Sequence, residues 1–273
     1  MPGAALDAVE GLVRRTLEGR EGLLVVGLCG AQGSGKSTLA AGLRQRLERD
    51  GIPSAILSID DLYRTRAERE ELGQTVHPLL RTRGVPGTHD VALGLRVIDA
   101  LARGEAAPLP RFDKAADDRQ PVARWERAAA GTRLLLLEGW CVGARPQAAA
   151  ALAEPVNALE REEDAQGVWR AYVNRALAGD YQALFARLDR LLLLAAPGFE
   201  VVRRWRTQQE HDLRRDAGAG AGVMSDAQVT RFIQHYERLT RHILAEMPGR
   251  ADLVIALDEV RRVIGMGGTD YDR

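Results

Sequence analysis

Little in this sequence marks an extracellular, membrane or nucleic-acid-binding chain. Only two cysteines occur in 273 residues, Cys29 and Cys141, and neither stands in a CxxC or Cys/His spacing, which argues against a cysteine metal site. Cys29 lies inside an apolar run and reads as a small core residue rather than a reactive thiol. Charge of either sign is not in excess, since Lys plus Arg and Asp plus Glu are each 38. A nucleic-acid binder carries a basic excess or stripe; the arginines here are scattered, so nucleic acid is not an expected partner. No apolar stretch approaches the roughly 20 residues that span a bilayer. Residues 1–20 carry acids early and lack the apolar core of a signal peptide. The expectation is a soluble, cytoplasmic chain with no membrane partner. The N-K-x-D signature with which GTPases read their base is also missing, which disfavours a GTP switch.

What is present is the balance of an ordinary globular protein, 45% hydrophobic and 28% charged. Apolar positions at helical spacing predict a helix over residues 4–17. Residues 23–29 (LLVVGLC) form a continuous apolar run, suited to a strand covered on both faces. A helix over 36–50 stops at Gly51 and Pro53. Further strands are predicted over 54–59, 132–137, 191–195 and 251–257, the last of these ending the sheet. Further helices are predicted over 88–103, 169–188, 199–215 and 225–247. This alternation predicts an α/β fold with a doubly wound, mainly parallel sheet in one domain over residues 1–273. Residues 64–87 and 106–131 break the rhythm with charge, Pro and Gly, and read as functional loops beyond the strand ends. The AGAGAG stretch from Ala217 reads as a hinge. Residues 148–163 could be a partner surface or an exposed helix and turn, and the oligomeric state stays open.

One motif carries the most chemistry. Gly30, Ala31, Gln32, Gly33, Ser34, Gly35, Lys36 and Ser37 match the phosphate-loop pattern G-x-x-x-x-G-K-S/T, with Thr38 next in line. Glycines let successive backbone N–H groups turn in around phosphate oxygens. Lys36 is placed to reach the β- and γ-phosphates and the Ser37 hydroxyl to ligate Mg²⁺. The helix after the loop aims its positive end at the anion. A strand before and a helix after are the context that separates this motif from a chance match. The expected fold is a P-loop nucleoside triphosphate hydrolase (kinase) fold with ATP and Mg²⁺ as cofactors.

The other strand tips separate a kinase from other nucleotide binders. Phosphoryl transfer to an alcohol needs a carboxylate to orient the hydroxyl and accept its proton. Asp60, at the tip of the second strand, is the expected base. Asp61 beside it is a support, a metal-shell residue or a helix N-cap. Glu138 follows four leucines and is expected to hold Mg²⁺ through water, since burying it unpaired would be costly. Arg203, Arg204 and Arg206 open a helix leading to the AGAGAG stretch, as in a closing lid over about 199–224. Arg203 and Arg206 are the candidate catalytic arginines, against the alternative of a solvated helix face. On the acceptor side, Arg83, Arg111, Lys114 and Arg119 would suit a small anionic acid, because guanidinium forks match carboxylates. A phosphate-binding role is equally allowed for any of them. The expected partner is thus a small-molecule acid.

Taken together, GAQGSGKST, LSIDDLY, HPLLRTRGVPGTHD, LPRFDK with DR, LLLEGW, and WRTQQE followed by GVMSD resemble the plant-type D-glycerate 3-kinases and their bacterial relatives. These belong with uridine kinase, phosphoribulokinase and bacterial pantothenate kinase in one P-loop kinase superfamily. The likeness runs from about Leu23 to about Leu257. It implies transfer of the γ-phosphate of ATP to the 3-hydroxyl of D-glycerate, giving 3-phosphoglycerate, with Asp60 as base and an arginine-bearing lid. It also brings His89 and Asp113, inside the two acceptor-side motifs, into the substrate set. One departure stands out: only Ala115, Ala116 and Asp117 separate the FDK and DR elements, where family members often carry a longer, glycine-containing stretch. The adenine pocket is expected near residues 258–262.

Overall fold

The apolar run after Gly22 becomes β1 (Leu24–Gly30), buried at every position in the computed structural model, which describes residues 2–217 and 224–270. The other strands are β2 (Ser54–Ser58), β3 (Ala107–Leu109), β4 (Phe112–Asp113), β5 (Asp118–Arg119), β6 (Glu126–Ala128), β7 (Leu134–Gly139), β8 (Arg190–Ala195), β9 (Leu253–Leu257) and β10 (Val263–Gly267). Six of them form one sheet in the order β10-β9-β8-β1-β7-β2. All neighbours pair in parallel except β10, which runs antiparallel to β9. The helices are α1 (Pro2–Leu17), α2 (Lys36–Arg49), α3 (Arg66–Thr75), α4 (Val91–Ala102), α5 (Ala158–Glu163), α6 (Val168–Ala178), α7 (Asp180–Phe185), α8 (Phe199–Ala217) and α9 (Asp226–Glu246).

Alternation along β1 divides the core. Leu24, Val26 and Leu28 pack with apolar residues of α1, α2 and α8, whereas Val25 and Cys29 pack with those of α4, α7 and α9. Period-two side-chain alternation makes this a two-sided sheet with helices on both faces. The topology places β1 between β7 and β8, so the loop leaving β1 sits at the middle of the carboxyl edge. Among the described residues no helix is long and apolar enough to cross a membrane.

Four local expectations need correction. The helix read over 169–188 is two helices, α6 and α7, broken at Gly179, whose N–H bonds back to the Arg175 and Ala176 carbonyls. Residues 64–87 are not irregular throughout: α3 starts at a capping box between Thr65 and Glu68. Its inward positions are Arg69 and Gly73 rather than apolar residues, which hid it from a hydrophobic-period reading. Residues 106–131 contain two small antiparallel ladders, β3 with β6 and β4 with β5. Finally, β9 does not end the sheet, because β10 follows; its glycines and exposed Ile264 offer no buried pattern to read.

Residues 148–163 are partly tied into the chain, since Glu160 is fully buried and pairs with Arg238 of α9 at 2.6 Å. Of the AGAGAG stretch only Ala217 is described, so the expected hinge lies outside the described residues.

Candidate active site

The phosphate loop is shaped by its glycines. Gly33 and Gly35 adopt φ of +76° and +90°, and Gly35 is the left-handed cap of α2. A side chain at either position would be strained. A Cβ on Gly33 would also stand 2.8 Å from the Trp205 Cβ, because α8 packs directly on the loop. Trp205 in turn donates its indole N–H to the Glu259 carbonyl at 2.7 Å, and Arg261 donates to the Gly33 carbonyl at 2.6 Å. The segment after β9 therefore clasps the outer rim of the loop.

A cleft of about 260 Å³ opens beside it, lined among others by Gln32, Gly33, Lys36, Ser37, Asp60, Arg83, Lys114, Glu138 and Arg206. These come from the tips of β1, β2 and β7, from the loop after α3, from the turn between β4 and β5, and from α8. The parallel register sets Glu138 beside Leu28 on one side and Ser58 on the other. Glu138 is buried, accepts from the Ser37 hydroxyl at 3.2 Å through Oε1, and has no partner for Oε2 among the described residues. The next residue, Gly139, has no room for a side chain, as a Cβ there would lie 2.3 Å from the Ile59 Cγ2. Buried oxygens of Ser34 and Gln32 likewise have no partner among the described residues. Unsatisfied oxygens at a phosphate loop fit a hydrated cation and an N–H-rich anion cradle. Among the described residues no cluster of three or more His, Cys, Asp or Glu forms a metal cage.

Asp60 follows Ser58, whose hydroxyl accepts from the Asp60 N–H at 3.3 Å and so caps the short turn at the tip of β2. Its Oδ1 accepts from the Tyr63 hydroxyl at 2.8 Å and its Oδ2 from the Lys114 ammonium at 2.7 Å. Burial alone would raise its pKa, but Lys114, Lys36 and the Tyr63 hydroxyl together hold it down to about 2. Asp61 points elsewhere: it accepts from the Phe112 N–H at 3.0 Å and from Arg111 at 3.1 Å. Burial raises its pKa against those bonds.

Several residues expected to face substrate instead brace the loops that carry others. Arg111 spans Asp61 and Glu126. Asp113 accepts from the Ala115 and Ala116 N–H groups at 2.9 and 3.1 Å, turning the loop between β4 and β5. Asp117 takes the left-handed conformation at φ +54°, which Asp tolerates better than most side chains, and is held by Arg69 and Arg83. Arg119 donates to the Tyr63 carbonyl at 2.9 Å and pairs with Asp90 at 3.4 Å. His89 is buried behind Tyr63, stacked on its ring, with Nδ1 2.5 Å from the Tyr181 hydroxyl. Burial lowers its pKa to about 4, so it is neutral. Arg203 lies on the exposed side of α8 beside Glu200, and Arg204 pairs with Glu259. Thr38 is exposed in the first turn of α2. Of Arg203, Arg204 and Arg206, Arg206 is the one that lines the cleft, where its guanidinium lies 5.8 Å over the Phe232 ring.

Part of the lining is aromatic, and sequence reasoning did not assign it. Tyr63, Trp140, Phe232 and Tyr236 line the same cleft as the phosphate loop. Trp140 donates to the Gly84 carbonyl at 2.9 Å and Tyr236 to the Arg83 carbonyl at 3.2 Å. Gly84, at φ +135°, lets the Tyr236 hydroxyl come to 2.0 Å from where a Cβ would stand. The one available signal was Phe232 and Tyr236 at i, i+4 spacing on a helix in a chain with few aromatics.

A glycine-shaped phosphate loop, a strand-tip carboxylate and an arginine-bearing helix around one cleft define the P-loop kinase class. Residues 25–145 match the phosphoribulokinase/uridine kinase family. The chain is 38% identical over 230 residues to an uncharacterized kinase, mug58, of Schizosaccharomyces pombe, covering 80% of this chain and 79% of that one. It is 30% identical over 259 residues to the chloroplastic D-glycerate 3-kinase of Arabidopsis thaliana, covering 88% of this chain but only 54% of that protein. Among solved structures, the D-glycerate 3-kinase of Cryptococcus neoformans superposes with a TM-score of 0.82 at 26% identity, covering 97% of this chain and 99% of that one. The chain belongs to the phosphoribulokinase/uridine kinase family and is a phosphotransferase of the P-loop kinase class. Membership implies use of ATP.

Proposed function

We propose that the chain transfers the γ-phosphate of ATP to a hydroxyl of a small acid, D-glycerate in the first place, giving 3-phosphoglycerate. The observation that carries the acid is the pair of acceptor-side cations in the cleft: Lys114 and Arg83 line it together with Lys36 and Asp60, and Lys114 reaches Asp60 at 2.7 Å. Relatives of two kingdoms that bear the D-glycerate 3-kinase name support the same substrate.

In this reading the chain works as one cytoplasmic kinase domain, with residues 199–224 as its lid. The phosphate loop cradles the triphosphate with its N–H groups, and Lys36 balances charge on the β- and γ-phosphates. Ser37 and Glu138 are the residues that would hold Mg²⁺, and the ion would supply positive charge against the charge building on the transferred group. Asp60 orients the acceptor hydroxyl and takes its proton as the oxygen attacks phosphorus and ADP leaves. Arg206 meets the transferred phosphoryl from the lid side. The aromatic wall excludes water, which keeps the transfer from becoming hydrolysis.

Coupled ADP release with a panel of hydroxy acids, nucleosides and pantothenate tests the substrate. Turnover of D-glycerate no higher than the acceptor-free background would sink it, and a different preferred acceptor would name another kinase of the same fold. Tight ATP binding with no turnover of any acceptor would favour an ATP-binding regulatory protein instead.

A further inference from the structure

The carboxylate placed as base is engaged at both oxygens, by partners of different kinds. The Tyr63 hydroxyl is fixed, because its ring is buried between His89 and Phe112. Lys114 is 60% exposed and sits on the turn at residues 114–117, reaching Asp60 with a flexible four-carbon stem. The turn beneath it is braced on all sides: Asp61 holds the Phe112 N–H, Asp113 holds the turn amides, and Arg69 and Arg83 hold Asp117. A hairpin braced by these contacts thus presents an exposed cation on a long stem to the base. Arg83, another acceptor-side cation lining the cleft, is paired with Asp117.

From this geometry we infer that Lys114 is a guard on Asp60 that the acceptor's own carboxylate removes; the inference rests on the small-acid reading above. Without acceptor, the ammonium occupies Oδ2 and denies it to water, so bound ATP is not hydrolysed. When an acid enters, its carboxylate competes for the ammonium and draws it across the cleft, which frees Oδ2 beside the acceptor hydroxyl. The acceptor O–H bond then breaks with its proton passing to Asp60, the new oxygen–phosphorus bond forms, and the bond to the β-phosphate oxygen breaks with its electron pair leaving on ADP. The same balance with water as the nucleophile gives inorganic phosphate, and that is the reaction the guard suppresses. Recognition of the acid and release of the base become one event, and an uncharged alcohol of the same shape lacks the means to trigger it.

The test compares the wild-type chain with Lys114→Ala and Lys114→Arg, using ADP release without acceptor, with D-glycerate and with glycerol. Lys114→Ala should raise acceptor-free hydrolysis about tenfold and lower the D-glycerate to glycerol ratio of kcat/KM by roughly 100-fold. Lys114→Arg keeps the charge and should restore most of the hydrolysis block. Matched thermal melting and ATP-analogue binding of the variants establish that the fold is intact, as expected for an exposed side chain. A fallen ratio without increased hydrolysis would leave Lys114 a binding residue and overturn the guard; so would unchanged values of both. The hydrolysis arm needs no acceptor. A wild-type enzyme inactive on D-glycerate would therefore refute the substrate while still reading the guard.

Discussion

Replacing Asp60 by asparagine should separate chemistry from binding. The substitution keeps the shape of the side chain, and the Asn oxygen can still accept from the Tyr63 hydroxyl, which lies 2.8 Å away in the native site. On the other side an amide N–H₂ would face the Lys114 ammonium, donor against donor. Lys114 is 60% exposed and can turn to water, so the stability cost should stay below about 1 kcal/mol. The phosphate loop makes no hydrogen bond to Asp60 among the described contacts, so ATP affinity should change by no more than about threefold. The rate is another matter. Losing a positioned base typically costs about 10²–10⁴-fold, or ~3–5 kcal/mol of barrier. The assay is single-turnover phosphoryl transfer beside equilibrium binding of an ATP analogue and thermal melting. A rate within threefold of the native enzyme would remove Asp60 from its role. A rate loss matched by an equal loss of ATP binding would make it a structural residue instead.

Glu138→Gln should raise the Mg²⁺ concentration needed for half-maximal activity by at least about tenfold, since Ser37 would remain as the sole protein ligand in the proposed site; an unshifted Mg²⁺ titration argues for a different metal acid. Gly84→Ala should destabilise the fold by more than about 2 kcal/mol in urea melts, because the residue sits at φ +135° with the Tyr236 hydroxyl 2.0 Å from the added carbon. An unchanged midpoint there would mean that Tyr236 yields freely. His89 and His235 are both buried with pKa lowered from 6.5 to about 4, burial being the chief cause. Their unfolded forms take up protons first as pH falls, so the stability they contribute is full above 6.5 and drains between 6.5 and 4. Each histidine costs about 1.4 kcal/mol per pH unit in that window. Urea midpoints that stay flat between pH 7 and pH 5 would contradict this.

The parts of the cleft that were legible in the sequence are those where backbone geometry dictates residue type. Glycines at 33 and 35 are required by positive φ, and Asp60 and Glu138 stand out as charges ending apolar strands. The acceptor side was less legible for a physical reason. An arginine aimed at a substrate and one aimed at a carbonyl look the same in a sequence, and Arg111 and Arg119 turned out to hold Asp61 and the Tyr63 carbonyl. His89 was a motif residue whose ring is buried behind the cleft wall rather than open to it. The aromatic wall is assembled from segments far apart in the chain, so no local period announces it. In the fold, α3 was hidden because it buries an arginine and a glycine, and β10 because it buries almost nothing.

Gly139 has a consequence for how freely this kinase can vary. Glu138 and Asp60 stand at the tips of adjacent strands, and their separation is gauged by Ile59 resting on the bare α-carbon of the next residue. Neither acid's own hydrogen bonds set that spacing. Loops around the cleft, such as the turn at 114–117, lie outside this contact and can change length without disturbing the gauge. A single methyl at 139 would act as a shim between the strands. Misplacement of about 1 Å at a reacting centre can cost roughly 100-fold in rate, so the smallest side chain that could be added here threatens turnover more than folding.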